Sequence, residues 1–207
     1  MKKIAAVLFV CLLACLSVTA EQTFYETAKK GDAKEVYGLG GAANLVVACA
    51  EGDTDTVRLL LQKGVSPNIA AQASTPLRTA AMYGHADIVR LLLEKGALPD
   101  YKAEGSPWTP LLAAVASGYA DTVDILLKAG ADPNFAYYTK EGFLVTPVLM
   151  AGIYGHTDIL RMLLQKGGKA NMIVDRTHNK SLIDFVRNSN SKNREAVIEL
   201  LKEYGGR

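Results

Sequence analysis

An all-α repeat solenoid is the fold class this 207-residue sequence predicts. One phrase recurs at intervals of 32 to 37 residues: Thr75-Pro76-Leu77, Ala80-Ala81, Gly84-His85, Asp87-Ile88-Val89, Leu91-Leu92-Leu93 and Gly96. It returns as Thr109-Pro110-Leu111, Gly118, Asp121-Thr122-Val123, Leu126-Leu127 and Gly130. A third copy reads Thr146-Pro147-Val148, Gly155-His156, Asp158-Ile159-Leu160, Leu163-Leu164 and Gly167. Within each copy the helix-start and helix-stop residues keep one order. Self-similarity at this period marks stacked units that bury their apolar faces against one another.

Each element of the unit has a physical reason. Thr75, Thr109 and Thr146 precede a proline, so the hydroxyl caps free N–H groups while the proline takes the first helical position. This first helix is short and rich in Ala80, Ala81, Ala113, Ala114 and Ala151, which lets neighbours approach closely. Gly84, Gly118 and Gly155 end it as left-handed caps. Asp87, Asp121 and Asp158 then sit where the dipole of a second helix favours negative charge. Its apolar run ends at Gly96, Gly130 or Gly167, with Pro99 and Pro133 following in two units. The unit is a helix–turn–helix followed by an extended connector.

This pattern resembles the ankyrin repeat, over nearly all of the chain after residue 20. A weaker copy runs from Ala43-Asn44-Leu45 through Gly52-Asp53 to Gly64, and another from Lys180-Ser181-Leu182 to Gly205, with about four extra residues near 188–193. A degenerate half-unit around Gly31-Asp32 opens the stack as an N-terminal cap at 21–41. The repeat domain then covers 42–207, in units of about 42–68, 69–100, 101–134, 135–171 and 172–207. The family usually places His after Thr-Pro-Leu as a polar staple. Val46, Arg78, Leu112 and Leu149 stand there instead, which implies greater reliance on apolar packing.

The first twenty residues read as a separate object. Lys2-Lys3, the apolar stretch from Ile4 to Leu16 and Val18-Thr19-Ala20 make a Sec-type signal peptide cleaved before Glu21. The alternative is a lipoprotein box, Leu12-Leu13-Ala14-Cys15, with lipidation of Cys15 and an outer-membrane location. Either route leads to a bacterial envelope, most simply the periplasm. Removal of 1–20 leaves 21 basic and 21 acidic residues, so nucleic acid loses its usual electrostatic footprint. Residues 166–207 hold nine Lys or Arg against five Asp or Glu, the pattern of a solvated face. Cleavage after Ala20 leaves Cys49 alone, in a small-residue slot of a first helix, as a shielded structural thiol.

No catalytic constellation emerges. His85 and His156 occupy the Gly-His position of the repeat, where a loop-stabilising hydrogen bond explains them. His178 has Asp175 nearby, but no second His or Cys lies at metal-ligand spacing. Nucleophile elbows, Walker loops and dinucleotide fingerprints are missing. We therefore expect no enzyme, no cofactor and no metal.

A repeat stack offers an extended binding surface. The resemblance places it on the fingertips at 69–74, 101–108, 135–145 and 172–180, and on the first-helix residues just before each glycine. Aromatic side chains concentrate there although Phe, Trp and Tyr make up only 7% of the chain. Met82, Tyr83, Tyr101, Trp108, Tyr137, Tyr138, Phe143 and Tyr154 are the candidate partner-binding residues, since large rings with few rotors dominate protein-binding hot spots. Phe135 and Phe143 face either a partner or the next finger. The spacing of 37 residues makes the finger at 135–145 about three residues longer than its neighbour. The expected role is that of a monomer binding another protein, with contact to the membrane only if Cys15 is lipidated. Resemblance to exported bacterial ankyrin proteins implies either an immunity protein neutralising an effector toxin, such as a type VI phospholipase, or a scaffold for a periplasmic enzyme such as catalase.

Overall fold

The structure, a computed structural model, describes residues 41–71, 73–175, 177–189, 191 and 193–206. The signal-peptide segment 1–20 with Cys15, and all but the last residue of the half-unit at 21–41, lie outside the described residues. So do Asn190 and Lys192 of the extra stretch near 188–193. The chain divides into two compact bodies, Met1–Pro110 and Leu111–Arg207.

In the first body, α1 (Gly41–Glu51) and α2 (Thr54–Gln62) form one helical pair, α3 (Pro76–Tyr83) and α4 (Ala86–Glu94) the next. The start of α3 is set by Thr75, whose hydroxyl accepts the Arg78 amide at 3.2 Å, and by Pro76 in the first turn. Gly84 ends it at φ 76°, a left-handed value that glycine adopts without strain. Asp53 caps α2, accepting the Thr56 amide at 3.0 Å and its hydroxyl at 2.6 Å. Helix α1 packs on α2 and α3, and α4 packs on α2 and α3. Leu45, Leu77, Ile88 and Leu92 are fully buried between them. Burial of each such side chain contributes about 1.5–3 kcal/mol. Asn68 clasps the following connector, donating to the Gly96 carbonyl and accepting the Leu98 amide, both at 2.8 Å.

The second body repeats this plan. Helix α5 (Pro110–Ser117), whose first residue closes the first body, precedes α6 (Ala120–Lys128), α7 (Pro147–Tyr154) and α8 (Thr157–Gln165). The last pair is α9 (Leu182–Arg187) and α10 (Arg194–Glu203). Thr146 and Gly155 bracket α7 as Thr75 and Gly84 bracket α3. Asn134 repeats the clasp of Asn68, bonding the Gly167 carbonyl and the Lys169 amide at 2.9 Å each.

Two fingers of this body pair as short hairpins. β1 (Tyr137–Tyr138) runs antiparallel to β2 (Leu144–Val145), with Tyr137 opposite Val145 and Tyr138 opposite Leu144. Thr139 closes the turn, its amide donating to the Phe143 carbonyl at 2.9 Å. β3 (Ile173–Asp175) pairs with β4 (Lys180–Ser181), and a bridge between Phe143 and Asp175 links the two hairpins. The longer finger is therefore a β-turn extension tied to its neighbour. The fold is the all-α repeat solenoid, and its small sheets are confined to the fingers.

The polar-staple positions divide. Val46, Leu112 and Leu149 are buried apolar residues, as expected. Arg78 corrects the expectation: it is equally buried, and its Nη2 donates to the Ala73 carbonyl at 3.3 Å. Ala73 has φ 63°, so the guanidinium secures a turn that alanine adopts only at some cost. A second polar tie comes from elsewhere in the phrase. His85 Nε2 donates to the Ala50 carbonyl of the preceding unit at 3.1 Å, so the histidine joins two units rather than one loop.

Candidate interaction surface

In the first body the candidate residues occupy one helix end and one finger. Met82 and Tyr83 are the last two residues of α3, and they point differently. Met82 is only 5% exposed and belongs to the core. This corrects its place on the surface: at 3.6 residues per turn, Met82 turns with the buried face while Tyr83 turns outward. Tyr83 is half-buried and its ring stacks on His85, with centroids 6.3 Å apart and planes 21° from parallel. Tyr101 and Trp108 are half-buried in the finger.

The second body shows the same helix end in another copy. Ile153 is buried like Met82, and Tyr154 is half-buried against His156, with ring centroids 5.9 Å apart. Each tyrosine is thus backed by the histidine that joins its unit to the one before. Tyr138 is 46% exposed, the most open of the candidate rings. Tyr137 and Phe143 are half-buried. Phe143 meets Phe185 of α9 edge-on at 5.8 Å, so of its two readings the structure gives the one in which it packs within the chain.

Electrostatics around the fingers is local. His178 Nδ1 lies 2.7 Å from Asp175 Oδ2, and Asp175 Oδ1 accepts the amides of Thr177 and His178. Burial pushes the Asp175 carboxyl up, but the bonds and charge of His178 and the Thr177 amide together hold it below the ordinary value. The nearby Ser181 hydroxyl donates to Asp184 instead, within a capping box that starts α9. The carboxylate thus orients the imidazole and holds two amides of the same turn, so the pair acts as a turn cap. Among the described residues no group of three or more His, Cys, Asp or Glu could hold a metal ion. Cys49 is fully buried and burial pushes its thiol well up, far from a reactive thiolate.

The histidine joints escaped the sequence reading in one respect. Beside His85 a groove of about 320 Å³ is lined by Gly52, Thr54, Gly84 and Asp87, and beside His156 one of about 250 Å³ by Gly118, Gly155, Asp158 and Asn193. Recurrence of Gly-His was the visible signal. The opposing glycine one unit earlier was visible too, but only as a helix cap.

Residues 45–137 match the family model for ankyrin repeats (3 copies). That stretch is similar to ankyrin repeats, a family that is typically non-enzymatic and whose repeats indicate a protein–protein interaction module. No curated protein matches it.

Proposed function

We propose that this chain is a non-enzymatic, exported binding protein of the bacterial periplasm that captures one partner protein on its finger and first-helix surface. The observation that carries the reading is the backing of Tyr83 and Tyr154 by unit-joining histidines, which holds two amphipathic rings in fixed positions. Preorganised rings lose little entropy on binding, and their hydroxyls suit a wet rim. Exposed Tyr138 on a hairpin tied to its neighbour adds a third anchor. The leader-like residues 1–20 support export, with lipidation at Cys15 as the alternative ending. The mature protein acts as a monomer.

Within that class we infer an immunity role: the chain covers the active surface of a secreted effector, such as a phospholipase, and so neutralises it. A scaffold for a periplasmic catalase uses the same surface, and the identity of the captured partner separates the two. The test is capture from the native envelope by the intact protein and by a Tyr83→Ala, Trp108→Ala, Tyr138→Ala triple variant. The triple variant should lose the partner while melting within a few degrees of the parent, because surface substitutions away from the core usually cost little. Undiminished capture would overturn the placement.

A further inference from the structure

Among the described residues, each joint between units of one body is tied by a His or Asn side chain. Within the first body His85 bonds the Ala50 carbonyl at 3.1 Å, and Asn68 donates to the Gly96 carbonyl and accepts the Leu98 amide. Within the second, His156 bonds the Ala116 carbonyl and Asn134 clasps Gly167 and Lys169. Asn193 Nδ2 then donates to the Gly155 carbonyl at 2.9 Å, tying the last unit. Two places in the repeat recur as ties. One is the residue after the left-handed glycine of the first helix, and the other is the asparagine at the foot of the finger.

Between residues 100 and 122 both places change. Tyr119 follows Gly118 where His85 follows Gly84 and His156 follows Gly155, and it stands 42% exposed. Asp100 follows Pro99 where Asn68 follows Pro67 and Asn134 follows Pro133. A carboxylate accepts an amide but has no N–H to give a carbonyl, so it supplies half of the clasp at most. A third change accompanies them. Thr122 fills the place of Ile88 and Ile159, fully buried, and its hydroxyl has no hydrogen-bond partner. The isoleucines bury only carbon there, whereas an unpaired buried hydroxyl carries a desolvation cost. The chain divides into its two bodies within this same stretch, between Pro110 and Leu111.

We propose that these three replacements are a built-in division: the two bodies are separate cooperative units, and either opens without the other. In a stacked array stability is a sum of unit and interface contributions, so cooperativity breaks where an interface is weakest. Asp100, Tyr119 and Thr122 remove at one place the ties that recur on either side of it. The division is independent of the binding role proposed above.

The test is native-state amide exchange of the full chain in rising denaturant, read separately over α3–α4 and α7–α8. The parent should show two openings, with the helix pairs differing in exchange rate and in denaturant dependence. Asp100→Asn, Tyr119→His and Thr122→Ile together restore the repeated residues. That variant should merge the openings and slow exchange in the less stable body on the order of tenfold or more. A second variant runs the change the other way: Asn134→Asp with His156→Tyr should split the second body, so that α5–α6 and α7–α8 exchange at different rates. One opening shared by both bodies of the parent would overturn the proposal. So would two openings that persist in the restored variant, or a second body that still opens as one unit after Asn134→Asp and His156→Tyr.

Discussion

The imidazole of His85 fills the space that a side chain at Gly52 would need. A Cβ on Gly52 would lie 2.7 Å from His85 Cε1, and Gly52 sits at φ 75°. Gly118 and His156 repeat the relationship, with 2.8 Å between the corresponding positions. Each glycine is therefore fixed twice, by its left-handed backbone and by the ring of the next unit.

Gly52→Ala should destabilise more than Gly96→Ala. Both glycines are left-handed, at φ 75° and 87°, so each substitution carries a backbone cost of about 1–2 kcal/mol. Nothing lies within 4 Å of a Cβ at Gly96, whereas Gly52 adds a collision with the His85 ring. Chemical denaturation of the two variants, with His85→Ala as the third arm of a double-mutant cycle, measures the extra term. Equal losses would mean that the ring yields freely.

Acid should loosen the joint at His156. Burial disfavours the charged imidazole, and this outweighs the favourable bond to the Ala116 carbonyl, so the folded-state value lies below the ordinary 6.5. As pH falls, the unfolded chain takes up this proton first. The contribution is thus fully present above pH 6.5 and is lost as pH falls through the folded value. Denaturant midpoints measured from about pH 7.5 down to about pH 5 should drop further for the parent than for His156→Gln. Parallel curves would place the titration elsewhere.

Replacing Asp175 should unfasten one finger and spare the helices. Its carboxylate holds the Thr177 amide, the His178 amide and the His178 ring, and an amide in its place retains the shape without the charge. Asp175→Asn should cost about 1.5–3 kcal/mol, the range for hydrogen bonds to a charged group. Because the folded value lies below 3.8, this stability is present at neutral pH and lost only in strong acid. Amide exchange should rise at residues 173–181 while residues 157–165 keep their protection.

Helix boundaries were legible because they depend on residues with one local use: Thr75-Pro76 and Gly84 mark α3 in the sequence as they do in space. Cys49 in a small-residue slot was legible for the same reason, since its neighbours repeat. Met82 was not. A two-residue window at the helix end straddles the boundary between buried and open faces, and only the rotational phase of α3 separates Met82 from Tyr83. The polar tie at Arg78 was not legible, because the carbonyl that receives its guanidinium depends on the left-handed turn at Ala73. Phe143 remained ambiguous until Phe185, 42 positions later in the chain, came within ring-contact distance.

The most direct measurement of the binding claim is a side-chain footprint of the intact protein with and without its captured partner. Hydroxyl-radical oxidation, read residue by residue, should fall at Tyr83, Trp108, Tyr138 and Tyr154 and stay constant on the outer helices at Leu59, Met162 and Tyr204. Protection confined to the outer helices, with those four rings still oxidised at the free rate, would contradict it.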